Sequence, residues 1–272
     1  MADPHAGHPA GPAPGLLLFA VTLLIPLGGY LAAVAGAARR GRRWPWWRTA
    51  AWCAGVAVAA TAVLGPAATA GHDLVAHMVA HLLLGMLAPL LLVVGRPVTV
   101  LVRALPVTAA RRVSRVLAST PVRVLTHPVT AVVLDAGGLW LLYTTGLYAA
   151  MGTHDGLHLL VHVHLFFAGY LLTAAVVGGD PAPHRPGPAV RAAALVTFIA
   201  VHAILAKHLY AHPPTGVPTG QAENAAMLMY YGGDLIHLVL IVMVCGQWYT
   251  ATRPRPGSLA RPGAVTLLGH TP

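Results

Sequence analysis

Apolar residues dominate the chain in long unbroken runs, and polar residues collect in short intervals between them. A helix needs about 20 mostly apolar residues to cross the hydrocarbon core of a bilayer. Seven runs qualify, at about 16–38, 50–70, 74–94, 128–148, 157–177, 190–211 and 226–248. The run at 50–70 contains Gly and Thr and is the least hydrophobic. The first run is long for a signal-peptide core and no basic residue precedes it, so a retained span is expected. The intervening segment 95–126, with "RALPVTAARRVSRVLAS", is basic and amphipathic, which predicts a helix lying along the membrane surface. No internal repeat is apparent.

The predicted fold is therefore all-α: a polytopic membrane protein with a seven-transmembrane-helix bundle over 16–250. Tails rich in Pro, Gly and Ala flank it at 1–15 and 251–272, and both are expected to be disordered. The positions of the arginines orient the bundle. Arg39, Arg40, Arg42, Arg43 and Arg48 follow the first run. Arg96, Arg103, Arg111, Arg112, Arg115 and Arg123 follow the third. Arg185 and Arg191 follow the fifth, and Arg253, Arg255 and Arg261 the seventh. With seven spans all of them fall on one side, which the positive-inside rule makes the cytoplasm. The N-terminus is then outside and the C-terminus cytoplasmic. Only Lys207, near the outer end of the sixth span, departs from the pattern.

Composition agrees. Charged residues make up 9% of the chain and hydrophobic residues 57%, whereas soluble domains carry about 25% charged residues. The net charge of +10 resides in the short arginine loops, so it orients the protein and does not imply nucleic acid. Cys53 and Cys245 both lie in apolar runs and form no metal or redox motif. No phosphate loop, dinucleotide fingerprint or hydrolase motif is present, and a non-enzyme is expected.

The chemistry lies in the histidines. Of the 16 in the chain, only His127, His184 and His270 map to the cytoplasmic side. His72, His77 and His81 occupy the outer loop and outer end of span three. His154, His158, His162 and His164 do the same for span five, in "HDGLHLLVHVHLFFAGYL". His202, His208 and His212 belong to the outer half of span six and its loop, and His237 is near mid-depth in span seven. His77 and His81 are i,i+4, as are His158 and His162, so each pair shares a helix face. These four are expected at similar depth, gathered by the bundle with His202 and His237 into one outward-facing metal site. His154 would stand at its mouth, with His72 and His208 nearby; His164 points off the stripe. Asp234, i,i+3 from His237, would orient that ring. Imidazole suits copper, zinc and iron, and thioether suits Cu(I), which brings in Met78 and Met229 as auxiliary donors. The plain alternatives are that a membrane histidine only bridges helices and that Met78 and Met86 only pack. Asp135, inside span four, is a functional candidate by its position in lipid. It lies apart from the histidines and outside the metal site.

Three segments, "AHMVAHLLLGMLAPLLLVVGRPV" (76–98), "HPVTAVVLDAGGLWLLYTTGLY" (127–148) and "HLLVHVHLFFAGYLL" (158–172), resemble successive signatures of the CtaG family. "DPAPHR" (180–185) and "VHAILAKHL" (201–209) continue that resemblance in order, over about residues 70–250. It implies assembly of haem-copper cytochrome c oxidase with copper, Cu(I) or Cu(II), held and delivered to oxidase subunits. An extracytoplasmic copper donor and the lipid bilayer would be further partners, and a homo-oligomer is compatible. The family's histidines match His77, His81, His158, His162, His164 and His202, and its acidic "GD" position matches Asp234. His237, Lys207 and Asp135 depart from the family pattern. Two other functions compete: a b-type haem protein with facing axial histidines, and a metal- or proton-linked transporter using the histidines as a relay.

Overall fold

The computed structural model describes residues 14–65 and 73–253. Among these, all regular structure is helical. The long helices are α1 (Pro14–Arg39), α2 (Trp46–Leu64), α8 (Pro128–Thr144), α10 (Asp155–Val177), α11 (Pro188–Ala211) and α12 (Thr219–Thr252), together with a composite central helix. That central helix comprises α3 (Leu74–His81), a π-helical segment (Leu82–Leu87) and α4 (Ala88–Val94). Short helices α5 (Pro97–Ala104), α6 (Val107–Leu117) and α7 (Thr120–Leu125) follow it, and α9 (Leu147–Met151) lies between α8 and α10.

Within the described residues, each of the seven apolar runs is mainly helical. Five helices are long and apolar enough to cross a membrane: Trp46–Leu64, Leu74–Ala104, Gly156–Val177, Pro188–Ala211 and Thr219–Thr252. Leu24–Arg39 and Pro128–Thr144 are shorter apolar helices. The run expected at 128–148 ends early. Thr144 and Thr145 turn their hydroxyls back onto the carbonyls of Trp140 and Leu141, the backbone at Thr145 is extended, and Gly146 caps α9 instead. The run expected at 50–70 starts earlier, at Trp46 after the extended Pro45. Both tails lie almost wholly outside the described residues. The amphipathic segment 95–126 became three helices. Pro97, Pro106 and Pro121 sit within one residue of their starts, where a missing N–H costs nothing. Neither α6 nor α7 buries a residue.

The composite helix is the axle of the fold: 72% of its most apolar window is buried, against 22–50% for the other four long helices. It packs against α2, α10 and α12. Its π turn has a local cause. In an α-helix the Gly85 carbonyl would accept from residue 89, but Pro89 has no N–H and its ring would strike that carbonyl. The ladder widens instead, with the Ala88 N–H donating to the Leu83 carbonyl, five residues back. The Gly85 carbonyl then faces Gly169 of α10, where any Cβ would collide with it. Glycine is needed there for close approach, and the Cα–H···O contact is of the kind found where helices cross closely.

Contacts sort the helix ends into two groups. At one end the Tyr30 hydroxyl donates to the Gly95 carbonyl (2.9 Å) and Trp44 Nε1 donates to that hydroxyl (3.1 Å). Asp180 there accepts from Thr99 N (2.8 Å), Thr99 Oγ1 (2.5 Å) and Val98 N (3.3 Å). Arg191, buried in the first turn of α11, donates to the Val176 carbonyl (2.7 Å) and to Gln247 Oε1. At the other end α3, α9, the start of α10 and the facing parts of α11 and α12 share one apolar core containing Leu74, Met78, Tyr148, Leu205 and Met229. The first is an arginine-rich end and the second an arginine-poor, histidine-rich end.

Candidate metal centre

The histidine-rich end begins with a good helix start. Asp73 caps α3, its carboxylate accepting from Val75 N (2.7 Å) and Ala76 N (3.2 Å), which fixes the register of His77 and His81 on the face turned to the bundle. Both are buried, as are His162, His202 and His237. These five rings fall into two groups rather than the one cluster expected.

The deeper group is His81, His202 and His237, each at most 2% exposed. The His81 and His202 rings lie parallel with centroids 5.8 Å apart, and His202 and His237 meet at right angles at 5.1 Å. Phe198, one turn before His202, packs against both (5.8 and 5.5 Å). Gly233 lets α12 approach, since a Cβ there would lie 2.7 Å from His202 Cε1. The sequence hinted at this close approach in "YYGGD", whereas nothing in it marked Phe198 as the packing partner of two rings.

The second group surrounds His77. Its ring meets His162 at 5.8 Å, Tyr148 at 5.2 Å and Tyr143 at 6.0 Å, all edge-to-face. His162 Nδ1 lies 2.9 Å from the His158 carbonyl. A carbonyl only accepts, so Nδ1 carries the proton and Nε2 keeps its lone pair.

The buried nitrogens are the unusual feature. His77 Nε2, both ring nitrogens of His81, His202 Nε2 and both of His237 have no hydrogen-bond partner. An unsatisfied buried polar atom costs about 1–3 kcal/mol, and lipid offers no water to relieve it. Asp234 does not relieve it either. Its carboxylate is 3.7 Å from His237 Nδ1 and its side chain 46% exposed, too long for a hydrogen bond.

Among the described residues, no three His, Cys, Asp or Glu side chains form a ready-made metal site. The donor set fits a metal in kind, as neutral imidazoles with unused nitrogens. It also fits in spacing, since two imidazoles on one ion with bonds near 2 Å place their centroids roughly 5–6 Å apart. The His81–His202 and His202–His237 ring pairs, at 5.8 and 5.1 Å, fall in that range.

The other expected residues take different places. His158 is exposed, not buried with its partners, and its ring lies 4.3 Å from that of His162; it sits a turn nearer the start of α10 than His162. His154 caps α10 and contacts Thr153 and the Ala150 carbonyl. His164 points away, donating from Nε2 to the Leu134 carbonyl of α8 (3.0 Å). His208 stacks on His212 (4.6 Å) and meets Trp140 (5.7 Å), apart from both buried groups. His72 lies outside the described residues. Met78 is fully buried with its sulfur accepting from the Tyr143 hydroxyl (3.6 Å), and Met229 is buried in the same apolar core, which is the packing reading. Asp135 is buried and lines a lateral recess of about 430 Å³ with His164, apart from both groups.

Comparison with known proteins adds a family. The model described as cytochrome c oxidase caa3 assembly factor (Caa3_CtaG) matches residues 28–251. The match takes in α2 and the C-terminal part of α1, beyond the 70–250 stretch of the motifs. Uncharacterised proteins of Mycobacterium bovis and Mycobacterium tuberculosis are each 36% identical over 165 residues, covering 58% of this chain and 25% of theirs. An uncharacterised protein of Mycobacterium leprae is 30% identical over 194 residues, 68% of this chain and 29% of its own length. The chain thus spans between a quarter and a third of these relatives. No solved structure matches.

Proposed function

This chain belongs to the cytochrome c oxidase caa3 assembly factor family, and on that premise we propose that it holds a copper ion at His81, His202 and His237 and hands it to the oxidase. It is a multi-pass membrane protein. In the proposed arrangement seven helices cross the plasma membrane, with the arginine-rich end cytoplasmic and the histidine-rich end facing outward. Copper is cargo, and the protein does no covalent chemistry on it. Its role is to offer neutral nitrogen donors in a dry, apolar enclosure and to release the ion to a tighter site on the oxidase.

The observation that carries this reading is the set of unpartnered nitrogens on His81, His202 and His237. Histidines serving only to join helices would spend those nitrogens on each other or on backbone carbonyls, as His164 does. These three are turned together, with both ring nitrogens of His81 and His237 and Nε2 of His202 unpartnered. A copper ion would take up the lone pairs, and a ligand set without thiolate leaves the ion exchangeable.

The test is metal analysis of the full chain purified without chelator and reconstituted with Cu(I). One copper per chain is expected, lost in His81→Ala/His202→Ala, with oxidase maturation impaired in cells carrying that variant. Wild-type protein that takes up no copper would overturn the reading. A strong Soret band in the purified protein would replace copper with haem.

A further inference from the structure

The five buried histidines are divided by depth, and an exposed sixth stands above them. His158 is exposed, His162 and His77 are 7% and 8% exposed, and His81, His202 and His237 are 1–2%. Neighbouring members are close at each step. The His158 and His162 rings lie 4.3 Å apart, and the His162 and His77 rings 5.8 Å. His77 and His81 are one turn apart on α3, a rise of about 6 Å, and the His81 ring opens the deep group.

From this gradient we propose that His158, His162 and His77 form a loading ladder, a copper path distinct from the holding centre that captures the ion at the surface and passes it inward. The proposal rests on the copper reading above. His158 and His162, i,i+4 on α10, make a two-nitrogen chelator where copper first meets the protein. The His162 tautomer set by its bond to the His158 carbonyl leaves Nε2 as the donor. His77 then presents Nε2, buried and without a partner. Tyr143 and Tyr148 confine the His77 ring on its other sides. The Tyr143 hydroxyl is engaged with the Met78 sulfur, so it does not compete for that nitrogen.

Each step is a ligand exchange. One imidazole lone pair bonds to copper as another nitrogen–copper bond breaks. The oxidation state does not change, and no proton moves, because the rings act as neutral ligands throughout. Stepwise exchange keeps the ion coordinated while it crosses an apolar layer where a bare cation would be prohibitively costly.

The experiment separates rate from endpoint. Metal-free full-length protein in nanodiscs is mixed with Cu(I)–bicinchoninate in a stopped-flow instrument, and the loss of colour gives both filling rate and final occupancy. His158→Ala and His158→Ala/His162→Ala are expected to fill about tenfold more slowly or worse, because surface capture raises the effective concentration at the deep site. Final occupancy should match wild type. His158 is exposed, so its replacement leaves the fold intact, which a melting curve verifies. An unchanged rate in the double variant overturns the ladder and leaves the holding centre standing. Loss of final copper in folded His158→Ala also overturns it, by placing His158 in the holding centre. Wild-type protein that never fills defeats the copper reading itself.

Discussion

The two ends of the bundle treat buried polarity in opposite ways. At the arginine-rich end the polar groups are spent on the protein. Arg191 ties α11 to the Val176 carbonyl and to Gln247, and Gln247 Nε2 donates to the Val177 carbonyl (2.9 Å). Asp180 clamps the start of α5, and Arg185 donates to the Asp180 carbonyl (2.9 Å). The exceptions there are single atoms, Arg48 Nε and Trp52 Nε1. At the histidine-rich end, four rings leave nitrogens unpaired. A fold that needed those histidines only for cohesion would have paired them, so one end spends its buried polar groups on the fold and the other leaves them unspent, which is the contrast the copper proposal rests on.

The contrast can be broken most directly by exchanging the two deep rings for leucine. His81→Leu/His202→Leu is expected to lower copper affinity by about 100-fold or more. It should leave the melting temperature unchanged or raised, because it removes unpaired polar atoms from an apolar enclosure. A large loss of stability would show that the histidines hold the bundle together. Arg191→Leu should do the reverse. Stranding the Val176 carbonyl and Gln247 costs roughly 2 kcal/mol of stability, while copper per folded molecule stays at the wild-type value by metal analysis.

Gly169→Ala acts on both ends of the comparison at once. Its methyl meets the Gly85 carbonyl, and overpacking of this kind costs about 1–3 kcal/mol. Spreading α10 from the π segment also draws His162 away from α3, so copper filling should slow with the drop in melting temperature. The smallest effect belongs to Asp234→Asn. With the carboxylate 3.7 Å from His237 and 46% exposed, copper affinity by competition titration should change less than about threefold.

Much of the fold could be read from the chain, because the apolar runs are long and the proline and glycine breaks are local. Helical spacing put His77 and His81 on one face, and position along the spans suggested that the bundle would bring them near His162, His202 and His237. Their division into two depths was not legible, because it depends on neighbouring helices: His162 meets His77, whereas His202 and His237 meet His81. His158 read as an equal partner of His162, yet four residues toward the helix start were enough to carry it to the surface. Arg191 read as a loop cation beyond a span. The structure buries it inside the first turn of α11, where it donates to the Val176 carbonyl at the end of α10 and to Gln247. Such long-range pairings leave no periodic trace. The π segment was legible in principle, through Pro89 four residues after Gly85, although its effect on the axle appears only in the folded helix.

That segment also gives the axle mechanical compliance. A continuous α-helix resists bending because opening one side breaks peptide hydrogen bonds. At Gly85 the α-helical bond is already absent, for want of a proton on Pro89, so bending there strains only the wider π-type bonds beside it. The stiff rod is thereby divided into an upper arm carrying His77 and His81 and a lower arm, α4, fastened among the arginine-rich contacts. Under the copper proposal, a small tilt of the upper arm against the anchored lower one would change how His81 reaches toward His202 and His237, the adjustment a holder of exchangeable cargo requires.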